Sequence, residues 1–185
     1  LRMPVVEVAG YEADDTIATL ARQAVEKGLK VVVVSADKDL LQLVTDDVLV
    51  LNPGREGSGS TLYGRAEVAE KFGVPPERVV DVLALVGDAV DNVPGVPGIG
   101  DKGARDLIRE YGTLEGALDH ADQVKRAAYR LGLLEHRADA LLSKRLVTLR
   151  TDVPVALDLE ALRCLGVDRV RAHALFTELE FTALA

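Results

Sequence analysis

Two patterns of apolar residues follow each other in the first part of the chain, the first typical of a helix and the second typical of a strand. Apolar residues recur at helical spacing over residues 12–27, and Gly28 then favours a helix end. The run KVVVVS at 30–35 is continuous and β-branched, which predicts a strand buried on both faces, as in a parallel sheet. A short helix over 38–44 and a second strand over 48–51 complete a β–α–β alternation. This order predicts an α/β layer.

After a Gly-rich loop at 52–60, strand signals nearly vanish and the pattern becomes helical. The exception is a short strand predicted over 145–151, which would return to the sheet. We therefore expect the remainder of an α/β core over 1–75, a helical subdomain over 76–144, and a return segment over 145–185 that packs on the core. The predicted helices of this part cover residues 65–72, 75–86, 101–111, 113–120, 123–142 and 167–179.

Composition narrows the class of protein. The 185 residues, 48% hydrophobic and 4% aromatic, fit one domain or a core with a small subdomain, built from Val, Leu and Ala. The single Cys164 excludes an internal disulfide and suits a reducing compartment. No apolar run is long enough to span a bilayer, and the N-terminus lacks a signal-peptide pattern. We expect a cytoplasmic protein without a membrane partner and, because the chain starts at Leu1, a piece of a longer one.

Acidic residues gather in three clusters at predicted element boundaries. Each has an ordinary structural reading: helix capping for the first, capping and an ion pair with Lys38 for the second, and a polar helix end for the third. However, three acids within four residues repel one another, and ligands of open α/β sheets bind at the carboxyl ends of strands. Together the clusters favour a cation site. Their members are Glu12, Asp14 and Asp15; Asp37 and Asp39; and Asp88 and Asp91.

Oxygen-only clusters suit Mg²⁺ or Mn²⁺ rather than zinc. Mg²⁺ uses few carboxylates per ion, so seven of them indicate two or more ions. Two ions held about 3.5–4 Å apart clamp the attacking and leaving oxygens of phosphoryl transfer. The seven carboxylates supply −7 of the net charge of −8, so bound ions would offset most of it. An acidic composition therefore does not exclude a phosphate-bearing substrate.

The segment PGVPGIGDKGARDLI resembles a helix–hairpin–helix, with the hairpin over 94–100. Glycines let a backbone approach a phosphate closely, and a helix N-terminus offers free N–H groups. Such contacts grip phosphates and are insensitive to base sequence. The alternative is a purely structural turn between two helices. The candidate DNA-binding residues are Gly95, Gly98, Ile99, Gly100, Lys102 and Gly103, with Ile99 expected to pack between the helices.

The motifs GYEADD, SADKD and GDAVDNVPGVPGIGDKGA, in this order, closely resemble the 5′-nuclease (flap endonuclease) domain family of bacterial DNA polymerases I. The resemblance covers residues 5–184. It implies an α/β fold, a PIN-like core with a mainly parallel sheet plus a helical helix–hairpin–helix subdomain. It also implies that the seven carboxylates are metal ligands, directly or through water. The hairpin would grip duplex DNA and bind a monovalent cation such as K⁺ through loop carbonyls.

The sequence departs from this family in two respects. Val90 and Gly103 stand where Ser and Thr are common, which removes a hydroxyl contact to phosphate. The family's first strand, with a further metal-binding Asp, and its basic helical arch lie upstream of Leu1. The polymerase domains that usually follow are also absent. The implied partners are duplex or flapped DNA and polymerase domains of the same parent chain, in a monomer near the bacterial nucleoid.

Three functions remain open on the sequence. The first is a metal-dependent, structure-selective 5′ nuclease of DNA replication and repair. The second is a module that binds duplex DNA without cutting it, which follows from the absent strand and arch. The third is a Mg²⁺ phosphohydrolase of small molecules, in which the helix–hairpin–helix has no obvious place.

Overall fold

The computed structural model describes residues 2–54, 59–181 and 183. Within these residues, no helix combines the length and apolar character needed to cross a bilayer. The strands are β1 Val31–Val34, β2 Val48–Asn52 and β3 Thr61–Tyr63, and short 3-10 helices cover Asp39–Leu43, Pro76–Arg78 and Ala121–Gln123. The α-helices are α1 Ala13–Glu26, α2 Arg65–Phe72, α3 Val79–Val86, α4 Asp101–Tyr111, α5 Leu114–Asp119, α6 Ala127–Glu135, α7 Arg137–Val147 and α8 Arg169–Glu178.

The strands form one mixed sheet in the order β1-β2-β3. β1 and β2 are parallel, with Val31 opposite Val48, whereas β2 and β3 are antiparallel, with Val50 opposite Tyr63. In the described residues the sheet therefore has one parallel and one antiparallel pair, rather than being mainly parallel. β3 was not predicted, because three residues are too few to show an alternating pattern.

The prediction that β1 is buried on both faces is wrong. Val33 is 7% exposed, but Val32 and Val34 are 53% and 63% exposed. β1 is an edge strand of the described sheet, paired with β2 alone, and one of its faces stays open. A continuous run of β-branched residues indicates that the segment forms a strand, but it does not indicate whether one or both faces of that strand are buried.

A single apolar core extends from the sheet into the helices. Leu40 and Leu41 belong to the first 3-10 helix, which contacts both β2 and α3, and are 0% and 2% exposed. α3 continues the core through Val82 and Leu85. α3 packs against both α4 and α7. Each buried Leu or Val contributes about 1.5–3 kcal/mol relative to an exposed position. α3 is thus the central support of the helical part.

The single helix predicted over 123–142 is instead two helices, α6 and α7. They are separated at His136, whose backbone (φ −112°, ψ 28°) is not helical. The two helices contact different neighbours. Gly132 of α6 lies against the Pro97 carbonyl, whereas α7 packs on α3. The predicted strand over 145–151 is also wrong, because α7 continues to Val147.

The segment after α7 is held by side chains of α1 instead of by a strand. Thr19 Oγ1 accepts a hydrogen bond from Val153 N–H at 3.2 Å. Gln23 donates to the Val155 carbonyl at 2.7 Å and accepts from Leu157 N–H at 2.8 Å. These bonds satisfy backbone groups that a sheet would otherwise have to pair. They fix α1 against the return segment, and so orient the acidic start of α1.

Candidate metal centre and DNA-binding hairpin

The start of α1, the loop after β1 and the loop between α3 and α4 converge on one cavity of about 260 Å³. The rest of its wall is apolar and includes Leu146 and Leu149. Chain segments far apart in sequence thus contribute to one acidic surface. Five of the seven predicted carboxylates line it: Glu12, Asp14, Asp37, Asp39 and Asp91.

The other two carboxylates lie beside this set. Asp88 hydrogen-bonds the ammonium of Lys38, which also lies 3.5 Å from Asp39 Oδ1. Asp15 is engaged elsewhere, since its Oδ1 accepts a hydrogen bond from Arg150 N–H at 2.8 Å. Asp88 is therefore connected to the cavity through Lys38, and Asp15 links α1 to the return segment.

At the start of α1, helix capping does not account for the acids. Glu12 occupies the N-cap position but makes no side-chain capping hydrogen bond. Burial raises the pKa of Asp14 above its ordinary value, and the negative charges of Asp37, Glu12, Asp15 and Asp91 raise it further. Crowded carboxylates of this kind are stabilised by a bound cation.

After β1, the positions of Asp37 and Asp39 are compatible with two roles, starting the 3-10 helix and holding a metal ion. Asp37 Oδ1 accepts Asp39 N–H at 2.8 Å and so begins the 3-10 helix. Asp39 is half-buried, and burial is the main cause of its raised pKa, although Lys38 acts in the opposite direction. Its Oδ1 is buried without a hydrogen-bond donor. Such an oxygen is costly unless something positive approaches it.

The loop between α3 and α4 is closed by two glycines. Gly87 and Gly95 both have positive φ (75° and 62°), and a Cβ on Gly95 would lie 2.6 Å from the Val86 carbonyl oxygen. Just inside this crossing, Asp88 and Val93 exchange two backbone hydrogen bonds of 3.0 and 2.7 Å. The close approach of the two chain segments sets the position of the loop and hence of its carboxylates.

The donor set fits a hard divalent cation, since the polar wall consists of carboxylates. In the described residues, no three acidic, His or Cys side chains are placed close enough together to enclose an ion. Mutual repulsion spreads carboxylates over the walls of a cavity, and an entering cation reverses that effect. The chemistry of the donors and the buried oxygen of Asp39 therefore suit an ion that draws the side chains inward.

The predicted helix–hairpin–helix is formed by α3, the Gly/Pro loop and α4. Ile99 is 3% exposed, and the hairpin is fixed to α3 because Val96 N–H donates to the Leu85 carbonyl at 2.8 Å. The exposed residues can meet a ligand, whereas the buried ones shape the turn. Of the six candidates, Gly98, Gly100 and Lys102 are exposed, and Gly95, Ile99 and Gly103 are buried.

Two residues beside the hairpin were missed by the sequence reasoning. Gly103 leaves room for Tyr129, whose ring a Cβ at position 103 would strike. Arg126 donates to the Tyr129 hydroxyl at 2.6 Å, and its guanidinium lies 4.2 Å from the ring centroid. Arg126 thereby adds a positive charge near the start of α4. The available signal was the basic and aromatic run KRAAYR at 125–130.

Comparison with protein families agrees with this geometry. Residues 1–73 match the 5′-3′ exonuclease N-terminal resolvase-like domain, and residues 74–170 match the 5′-3′ exonuclease C-terminal SAM fold. The chain belongs to the 5′-3′ exonuclease family. The resemblance in the three motifs is thereby confirmed, and so is the fold class of an α/β core with a helical part.

Individual proteins and solved structures are also similar to this chain of the 5′-3′ exonuclease family. It is 44% identical to DNA polymerase I of Rhizobium leguminosarum over 182 residues, 98% of this chain and 18% of that protein. T5 5′-exonuclease with bound zinc matches with a TM-score of 0.72 and 26% identity, over 91% of this chain and 59% of that one. The T5 D15 flap endonuclease, in a pseudo-enzyme–product complex with DNA and metal ions, gives a TM-score of 0.70 and 26% identity, over 87% and 56%. The chain spans about a fifth of the length of the curated relative.

Proposed function

We propose that this chain is the core of a structure-selective 5′ nuclease that hydrolyses phosphodiester bonds at 5′ flaps and primers in DNA replication and repair. The observation that supports this most is the cavity in which acids from three separate elements meet beside the helix–hairpin–helix. Family membership and the metal ions and DNA of the T5 structures point the same way.

The metal in this proposal is Mg²⁺ or Mn²⁺, with two or more ions bound. Bound ions would supply charge stabilisation at the scissile phosphate and activate the attacking water. The protein contributes the ligands and their placement, and the rest of the cavity wall is apolar and includes Leu146 and Leu149. The proposed ligands, direct or through water, are Glu12, Asp14, Asp15, Asp37, Asp39, Asp88 and Asp91.

The hairpin in this proposal holds the duplex by its phosphates. The exposed backbone at Gly98 and Gly100 and the N–H groups at the start of α4 offer donors, and Lys102 and Arg126 add positive charge. Loop carbonyls would take a monovalent cation such as K⁺. Contacts of this kind do not read bases, so binding would depend on DNA shape and salt.

The match to a fifth of a DNA polymerase I supports polymerase domains in the same parent chain. We propose that the chain works as the α/β unit 1–75, the helical unit 76–144 and the return segment 145–185. It would act as a monomer at the nucleoid of a bacterial cell.

A second candidate function is duplex binding without cleavage. It is favoured by one observation: among the described residues, no three acidic, His or Cys side chains are close enough to hold an ion. If the walls of the cavity cannot close, the hairpin would still bind phosphates.

Cleavage of a fluorescent 5′-flap DNA in Mg²⁺ tests these alternatives. We expect the Asp88→Asn and Asp91→Asn double variant to lose at least about 100-fold in rate. Its matched control is Asp46→Asn with Asp47→Asn, which removes the same charge at the opposite end of the sheet. Salt-sensitive binding without cleavage by the unmodified protein would favour the second candidate. In a measurement of binding to the same DNA, Lys102→Ala should reduce the slope of log affinity against log salt concentration by about 1.

A further inference from the structure

A lysine lies among the proposed metal ligands. The ammonium of Lys38 hydrogen-bonds Asp88 Oδ2 and lies 3.5 Å from Asp39 Oδ1. Lys38 and Asp88 are 50 residues apart, so the contact joins the loop after β1 to the loop after α3. Lys38 therefore bridges two of the three elements that build the acidic cavity.

The two carboxylates need a positive partner in this arrangement. The side chains of Asp39 and Asp88 are 18% and 17% exposed, so water reaches them poorly. Asp39 Oδ1 has no hydrogen-bond donor, and the ion pair with Lys38 is its nearest compensation. Without a cation here, two half-buried carboxylates would repel each other across the two loops.

We propose that Lys38 is a built-in counter-cation, which holds Asp39 and Asp88 together before a divalent ion arrives and is displaced when the ion binds. The inference rests on the proposed metal site. A protonated amine has no lone pair with which to coordinate a metal, and its charge repels one. Lys38 and an ion between Asp39 and Asp88 therefore compete for the same oxygens.

The geometry indicates which partner moves. Asp88 is anchored, because its Oδ1 accepts Val90 N–H at 2.8 Å, and Asp39 is the first residue of a 3-10 helix. Lys38 has a flexible four-carbon stem, and 40% of its side chain is exposed. The ammonium can turn outward into water while the carboxylates stay in place. Lys38 is thus a positioning residue that lowers metal affinity while it keeps the empty site assembled.

Isothermal titration with Mn²⁺, without DNA, measures the competition directly. Lys38→Met keeps most of the length of the side chain and removes its charge. Displacing the ammonium gives up its contacts with Asp88 and Asp39, and this cost is absent in the variant. We therefore expect about tenfold tighter Mn²⁺ binding in Lys38→Met. Lys71→Met is the matched control, since Lys71 lies on α2, contacts Tyr63 of β3 and is outside the cavity wall. It should bind Mn²⁺ as the unmodified protein does.

Thermal unfolding supplies a second readout. The metal-free Lys38→Met protein should melt at a lower temperature than the unmodified protein, and Mn²⁺ should raise its melting temperature by more. Mn²⁺ affinity within about twofold of both references would overturn the inference. Failure of the unmodified protein to bind Mn²⁺ would instead refute the proposed metal site.

If Lys38→Met does not fold, the unmodified protein still tests the idea. The ¹³Cε signal of Lys38, identified by its absence from Lys38→Arg, should shift when Mg²⁺ saturates the site. A signal that stays unchanged at saturation would show that the ammonium is not displaced.

Discussion

Replacing Gly95 by alanine should destabilise the protein far more than the same change at Gly98. Both residues have positive φ, 62° and 84°, so both variants bear the cost of about 1–2 kcal/mol for a side chain in the left-handed region. At Gly98 the new methyl group would enter open space. At Gly95 it would lie 2.6 Å from the Val86 carbonyl oxygen and 2.7 Å from Gly87 N, both in the backbone. Such overpacking typically adds about 1–3 kcal/mol.

A hydrogen bond adds to the difference. Gly95 N–H donates to the buried Ser143 Oγ at 2.9 Å, and displacing this chain segment would weaken a bond worth about 0.5–1.5 kcal/mol. We therefore expect Gly98→Ala to lose about 1–2 kcal/mol and Gly95→Ala about 3–5 kcal/mol. Urea unfolding followed by far-UV circular dichroism measures both, provided that the m-value stays constant.

The same two variants test how the loop positions its acids. The close approach of Gly87 and Gly95 sets the position of the loop that carries Asp88 and Asp91. Gly95→Ala should therefore also weaken Mn²⁺ binding under conditions where the variant is folded. Gly98→Ala should not. Equal stability losses would refute the argument from the backbone clash. A large loss with normal Mn²⁺ affinity would show that the crossing supports the fold but does not place the carboxylates.

Three further predictions concern charge. Asp14→Asn should raise the melting temperature of the metal-free protein, because it removes a crowded, partly buried charge, and should reduce the rise caused by Mn²⁺; scanning fluorimetry measures both. The raised pKa values of Asp14 and Asp39 mean that their contribution to stability is complete below the ordinary carboxyl pKa and is lost as pH rises through the raised values. The Mn²⁺-induced rise should therefore grow as the pH increases above the ordinary carboxyl pKa, and a flat profile would contradict this. Lys144→Met should cost about 1.5–3 kcal/mol in urea unfolding, because the buried Asp81 carboxylate loses its 2.7 Å partner and keeps Arg78 at 3.6 Å. Asp81→Asn added to it should restore part of that loss.

Local signals in the sequence predicted which element boundaries carry the acids. The acids stand next to sequence features that mark boundaries: Asp37 and Asp39 directly follow a β-branched run, and Asp88 follows Gly87. α2 and α4 begin and end at the predicted residues because glycines flank each of them on both sides. These features depend on neighbours along the chain, which is why a single sequence reveals them.

Features that depend on distant partners were not predictable. The exposure of Val32 and Val34 depends on which layers cover β1, and the break at His136 follows from two helices packing on different neighbours. The sequence indicates a pairing of Lys38 with Asp39, but it does not indicate the bond from Lys38 to Asp88 across 50 residues. No periodicity reports such contacts, because they are properties of the assembled core.

The bonds from α1 to the segment after α7 also constrain the order in which the site can form. Thr19 and Gln23 reach backbone partners as far as 134 residues downstream. On the ribosome, α1 leaves the exit tunnel long before those partners are made, so the contacts that orient the start of α1 cannot form until residues 153–157 have been synthesised. Closing so long a loop is slow, which makes this docking a late step in folding. The proposed metal site therefore takes its final geometry after this docking step and not before it.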